Sequence, residues 1–299
     1  MADGTYVEMN NLTKYYGKKL GVTGLTFNVD AGEVVGFLGP NGSGKTTGLR
    51  MLVGLLKITD GSARLFGTGV AGASPAIRKR IGYLPGTLTL HKNMTVREYF
   101  EFLAAMRGSD CSKSYTALSD RFGLALDRDI ASLSKGTRQK VGVVQAFMHE
   151  PDLLILDEPT SGLDPFMQRE FDDLLDESKS RGAAVLLSSH VMSEVERLAS
   201  RVAIIDKGKL VVVEEVARLK LRATRTLDLE FAQPTDPAKF LGLAGVTSAV
   251  AHGNRVTVTM FGSENEMLVL AAELGVITLH SHDPSLDEIF VDLVNESGR

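Results

Sequence analysis

A single cysteine, Cys111, occurs among 299 residues, so an internal disulfide framework is excluded and a reducing compartment suits the chain. Cys111 receives no role. Long apolar runs are also missing: none approaches the roughly 18 to 20 residues that span a bilayer, and the opening MADGTYVEMN lacks the basic and apolar regions of a signal peptide. The expectation is a chain that stays in the cytosol. Basic residues are not in excess. The net charge is −4 and the sequence pI about 5.9, which offers nucleic acid no global field, with local patches left open. No internal repeat of roughly 20 to 50 residues and no low-complexity segment is found. Glutamine is scarce as well: none precedes Gln139.

What is present is ordinary for a globular protein, with 43% hydrophobic and 23% charged residues. The length fits one large domain, or one of about 200 residues with a smaller one attached.

The stretch VVGFLGPNGSGKTTGLRMLVGLL, residues 34 to 56, runs from an apolar strand-like segment through a glycine-rich turn into a helical pattern. That is the context a P-loop requires. Gly39, Gly44, Lys45 and Thr46 match G-x-x-x-x-G-K-[ST], whose backbone N–H groups wrap phosphate oxygens while the next helix turns its positive end toward them. Gly39, Pro40, Asn41, Gly42, Ser43, Gly44, Lys45, Thr46 and Thr47 are thus the candidate phosphate cradle. Lys45 is expected on the β and γ phosphates, and the Thr46 hydroxyl on Mg²⁺.

A second segment, PDLLILDEPTSGLDP (151 to 165), supplies carboxylates. Leu153 to Leu156 read as a fully buried parallel strand that delivers Asp157 and Glu158 at its carboxyl end, where α/β sheets bind ligands. Asp157 is placed to hold Mg²⁺ through water, and Glu158 to orient or deprotonate the water that attacks the γ-phosphate. Asp164 and Pro165 start a helix, with Met167, Phe171, Leu174 and Leu175 on one face up to a stop at Gly182.

SLSKGTRQK (132 to 140) resembles the signature of the ATP-binding cassette (ABC) ATPases, Leu-Ser-Gly-Gly-Gln. Leu133, Ser134 and Gly136 match; Lys135 replaces the first glycine and Thr137 the glutamine. Ser134 and Gly136 open a second anion-binding helix N-terminus. The resemblance implies that this signature faces the ATP of a partner chain, so that two nucleotides are buried in a head-to-tail homodimer. It implies further that His190, ending LLSSH, contacts the γ-phosphate, that SGLD (161 to 164) reports across the dimer, and that an aromatic near residue 16 stacks on adenine. Tyr16 is the choice and Tyr15 the alternative. ATP and Mg²⁺ are the implied cofactors.

The family pattern would place glutamine at position 86 of RIGYLPGTLTL (80 to 90), touching Mg²⁺ or water and linking the nucleotide to a membrane partner. Here Gly86 stands instead. The resemblance extends to a branch of bacterial exporters with glycine at this place. Since Lys45, Thr46 and Glu158 remain, ATP hydrolysis is expected to survive with glycine in the glutamine's place, and coupling to the partner is what is expected to differ. Gly86→Ala is expected to leave basal hydrolysis largely intact and Glu158→Gln to remove most of it.

The fold class expected is α/β: a P-loop NTPase of the ABC ATPase type with antiparallel β and helical subdomains, plus a small C-terminal α+β domain. The ATP-binding domain is placed at 1–215 with its helical subdomain near 95–150, a linker at 216–224, and the accessory domain at 225–299. In the latter, TLDLEF and RVTVTMF read as strands, while DPAKFLGLAGV, ENEMLVLAAELGV and PSLDEIFVDLV read as helices, the last opened by a Ser285–Glu288 capping box. A ferredoxin-like arrangement is one candidate. HSHD (280 to 283) is given no metal role. The resemblance implies the ATPase subunit of an exporter, driving a separate polytopic membrane permease from the inner face of the cell membrane, with no nucleic-acid partner. A soluble non-transport ABC ATPase and a weakly active nucleotide-binding regulator are the alternatives.

Overall fold

A computed structural model describes residues 4–282 and 284–297. The chain divides into two compact units, 1–213 and 214–299. The strands of the first are β1 (Thr5–Tyr16), β2 (Lys19–Asp30), β3 (Val34–Leu38), β4 (Asp60–Leu65), β5 (Thr68–Gly69), β6 (Ile81–Leu84), β7 (Leu153–Asp157), β8 (Ala184–Ser189), β9 (Arg201–Asp206) and β10 (Lys209–Glu215), whose last residues cross the division. They form one sheet in the order β5-β4-β1-β2-β10-β9-β3-β8-β7-β6. Its helices are α1 (Lys45–Leu52), α2 (Pro75–Lys79), α3 (Val96–Arg107), α4 (Ser112–Arg121), α5 (Lys135–Phe147), α6 (Pro165–Ser180) and α7 (Met192–Leu198).

The sheet has two characters. β1, β2, β4 and β5 pair antiparallel, whereas β6, β7, β8, β3 and β9 run parallel. Every residue of β3, β7 and β8 is buried, as continuous apolar runs covered on both faces must be. Val35, Phe37, Ile155 and Leu186 share one core with Leu49, Met51 and Leu52 of α1. Each such side chain contributes roughly 1.5 to 3 kcal/mol of burial, and together they fix the strand ends from which the site residues project.

The segment from 95 to 150 carries α3, α4 and α5. Thr95 and Glu98 close a full capping box on α3, and Ser134 caps α5 by accepting from the Thr137 N–H. Asp164 accepts from Phe166 and Met167 at the start of α6, with Pro165 in the first turn, and Met167, Phe171, Leu174 and Leu175 are buried as the spacing predicts.

The second unit contains α8 (Val216–Arg222), β11 (Arg225–Phe231), β12 (Val246–His252), β13 (Arg255–Met260), α9 (Asn265–Glu273), β14 (Val276–His282) and α10 (Leu286–Ser297). Its sheet runs β12-β13-β11-β14, with each neighbouring pair antiparallel. This is the strand order of a ferredoxin-like unit. One expected helix is absent: DPAKFLGLAGV forms only a single 3₁₀ turn, Pro237–Lys239, before the chain enters β12. Gly242 and Gly245 lower the helical preference by about 1 kcal/mol each. Gly245 has φ 80° and lies so close to the Phe261 carbonyl that a side chain would have no room. The Ser285–Glu288 capping box is made in both directions. Of HSHD, Asp283 lies outside the described residues.

Candidate nucleotide site

β3 ends at Leu38 and α1 begins at Lys45, so six residues turn the chain through the cradle. The turn needs its glycines. Gly44 has φ 110°, and a Cβ there would stand 2.3 Å from Val22 Cγ1; one at Gly39 would stand 2.2 Å from the Ile205 carbonyl oxygen. The backbone is thereby pressed against its neighbours, and the first-turn N–H groups of α1, which have no partners within their own helix, open toward the cleft.

That cleft has a volume of about 620 Å³ and is lined by Tyr16, Asn41, Gly42, Gly44, Lys45, Thr46, Thr47, Asp157 and Glu158, with Lys19, Leu20, Gly21, Gly86 and Thr87 besides. Gly39, Pro40 and Ser43, expected in the cradle, are outside this lining; the carbonyls of Gly39 and Pro40 accept from the Lys45 ammonium. The Ser43 hydroxyl is buried and, among the described residues, has no hydrogen-bond partner. Tyr16 Oη lies 3.4 Å from Thr47 Oγ1; Tyr15 is outside the lining and its backbone N–H donates to Thr59 Oγ1.

Lys45 is 6% exposed. Its ammonium donates to the carbonyl of Gly39 at 2.6 Å and of Pro40 at 3.3 Å, and lies 3.7 Å from Glu158 Oε1. Burial pulls its pKa below the usual lysine value, against the opposing pull of Glu158 and then Asp157. The two carboxylates hold the charge in place. Thr46 Oγ1 donates to Asp157 Oδ2 at 2.7 Å, and Ser188 Oγ donates to Asp157 Oδ1 at 2.6 Å. A hydroxyl and a carboxylate therefore converge at the mouth of the cradle, a hard-oxygen pair suited to a divalent cation.

Glu158 follows the strand end with φ 53°, in the left-handed region, which costs a non-glycine residue roughly 1 to 2 kcal/mol. Its N–H donates to the Ser188 carbonyl at 3.1 Å, and Gln139 Nε2 donates to the carbonyls of Glu158 at 3.3 Å and Pro159 at 2.8 Å. His190 Nδ1 meets Glu158 Oε2 at 2.7 Å. Residues more than a hundred positions apart are thus brought to one cleft: Lys45, Thr46, Asp157 and Glu158 line it, and His190, outside the lining, joins them through Glu158.

Ser134 and Gly136 are not among the cleft residues. Ser134 is exposed at the start of α5, and a Cβ on Gly136 would stand 2.7 Å from the Gly162 carbonyl oxygen, so the signature is packed on the SGLD segment. Sequence reasoning passed over Ser188, Gln139 and Glu194. Their roles come from tertiary placement, and only the position of Ser188 beside an apolar strand end gave a local signal.

A strand, glycine-rich turn and helix joined to a strand-borne carboxylate pair define a P-loop nucleotide-binding protein. The family model described as ABC transporter matches residues 22–161. A bacitracin transport ATP-binding protein, BcrA of Bacillus licheniformis, is 33% identical over 97% of this chain and 97% of its own length. An uncharacterized ABC transporter ATP-binding protein of Bacillus subtilis, YhcH, is 33% identical over 98% and 97%. Among solved structures, an ATP-binding subunit of an ABC transporter aligns with TM-score 0.69 at 31% identity, covering 72% of this chain and 92% of that one. A dimeric bacterial ABC transporter cassette aligns at TM-score 0.65 and 22% identity, covering 70% and 98%. The chain belongs to the ABC transporter ATP-binding proteins, and it is an ATPase.

Proposed function

We propose that two copies of this chain close head to tail on two ATP molecules and that the cycle of closing and reopening drives export by a separate polytopic membrane permease. The observation that carries this reading is the division of phosphate-binding elements. The cradle of Lys45 and Thr46 lines the chain's own cleft, whereas the second anion-ready helix start lies outside it, with Ser134 exposed and Gly136 half-buried. A second copy completes the site from Ser134. Lys45 holds the β and γ phosphates, Tyr16 takes the adenine face, Glu158 orients or deprotonates the attacking water, and His190, bonded to Glu158, holds the γ-phosphate side.

Mg²⁺ fits the Thr46 and Asp157 oxygens, 2.7 Å apart, and when bound it supplies charge neutralisation at the phosphates. Among the described residues, no helix is long and apolar enough to cross a membrane, in keeping with a permease on another chain and a place on the inner membrane face. Export is supported by the relatives named for bacitracin transport and for linearmycin resistance.

The test uses Glu158→Gln with ATP and Mg²⁺ in size-exclusion chromatography with light scattering. The expected result is a shift from one copy to two; Ser134→Arg in the same background stays at one copy while still binding a fluorescent ATP analogue. A dimer that ignores Ser134→Arg, or no dimer at all, contradicts the head-to-tail arrangement. Co-purification of a polytopic membrane protein from cells expressing the tagged chain separates transport from a soluble role.

A further inference from the structure

The loops that carry Glu158 and His190 are joined by a residue outside the cleft. Glu194 sits in the first turn of α7. Its Oε2 accepts from Thr160 Oγ1 at 2.7 Å and from Ser189 Oγ at 3.1 Å. Thr160 lies two residues after Glu158, and Ser189 immediately precedes His190; they are 5% and 1% exposed. Ser189 Oγ also accepts from the Val191 N–H at 2.9 Å, so this hydroxyl is committed on both sides of the histidine. Oxygen acceptors that take two hydroxyl donors fix both donors' backbones relative to each other. One carboxylate oxygen thus ties the two segments together beyond the Glu158 N–H to Ser188 carbonyl bond at their strand ends.

We infer that Glu194 is a positioning residue for ATP hydrolysis, locking the Thr160 and Ser189 loops so that Glu158 and His190 meet at 2.7 Å. The inference rests on Glu158 and His190 being the hydrolytic pair. Glu194 does not line the cleft, so its loss acts on turnover and leaves nucleotide binding alone. A plain helix-start carboxylate would act the other way, on stability and not on kcat.

The experiment compares Glu194→Ala, Glu194→Gln and Thr160→Val in the full chain, reading kcat, KM for ATP and the thermal unfolding midpoint. Glu194→Ala is expected to lower kcat about tenfold with KM within about twofold, and Glu194→Gln, whose amide oxygen still accepts, to recover to within about threefold of wild type. Thr160→Val should reproduce the loss, and combining it with Glu194→Ala should add little. Wild-type kcat in Glu194→Ala overturns the inference. So does an equal fall in both Glu194 variants accompanied by weaker ATP binding and a lower midpoint. Glu158→Gln is run in parallel: if it is inactive while Glu194→Ala is unimpaired, only the role of Glu194 falls; if it keeps wild-type turnover, the hydrolytic pair itself is wrong and the inference goes with it.

Discussion

At the scale of single residues, Gly86 is where sequence and structure inform each other most. The sequence raises the question of a missing glutamine; the structure shows what the missing side chain leaves room for. A Cβ at position 86 would stand 2.9 Å from Asp157 Oδ2 and 3.1 Å from its carboxyl carbon. Asp157 is already held by Thr46 and Ser188, so it can yield only a few tenths of an ångström. The expectation that Gly86→Ala leaves basal hydrolysis largely intact is therefore narrowed. We predict a fall in kcat of about two- to fivefold, against a loss of about a hundredfold or more for Glu158→Gln, which removes the base candidate. Steady-state phosphate release measures both. Equal, near-total losses would mean that the loop at Gly86 belongs to the chemistry and not to its link with a partner.

At the scale of elements, much was legible because the signals were local and contiguous. The buried run Leu153–Leu156 could only be a strand covered on both faces, and Asp164-Pro165 followed by Met167, Phe171, Leu174 and Leu175 could only start an amphipathic helix. DPAKFLGLAGV was misread because its apolar spacing is helical, while the close approach of Gly245 to Phe261 is set by a strand pairing far along the chain. Gln139 and Glu194 were silent, and Ser188 nearly so, for the same reason: a lone hydroxyl, amide or carboxylate shows no pattern until the fold places it. His149, just past the end of α5, is a further case. Its Nε2 donates to the Ile81 carbonyl at 3.1 Å, tying the helix end to β6. Burial, and then the nearby Arg107 charge, pushes its pKa down from 6.5 to about 4. The folded form thus resists protonation while the unfolded form accepts it near pH 6.5. Stability from this group is complete above that pH and is lost as pH falls toward 4, by up to about 3 kcal/mol. Urea unfolding at pH 7 and pH 4.5 should show a smaller drop in His149→Gln, whose amide can still donate to Ile81. An unchanged drop would assign the acid sensitivity to other groups.

At the scale of the whole molecule, the two units have separate cores. Val35, Phe37, Ile155 and Leu186 belong to one cluster, and Leu227, Leu229, Phe231, Val256, Val258 and Met260 to another. Every residue lining the nucleotide cleft lies in the first unit, as do the Thr160, Ser189 and Glu194 links. A compact unit with its own core and a complete set of strand pairings folds as an independent body. A fragment of residues 1–215, cut after β10 so that its sheet keeps every strand, is therefore predicted to unfold in a single cooperative step and to bind a fluorescent ATP analogue within about threefold of the full chain, a difference of about 0.6 kcal/mol. If the fragment binds ATP but no longer forms the ATP-dependent dimer, the second unit acts in association and not in nucleotide capture. If binding itself is lost, the separation of cores is not a separation of stability, and residues beyond 215 support the phosphate cradle from outside the unit that contains it.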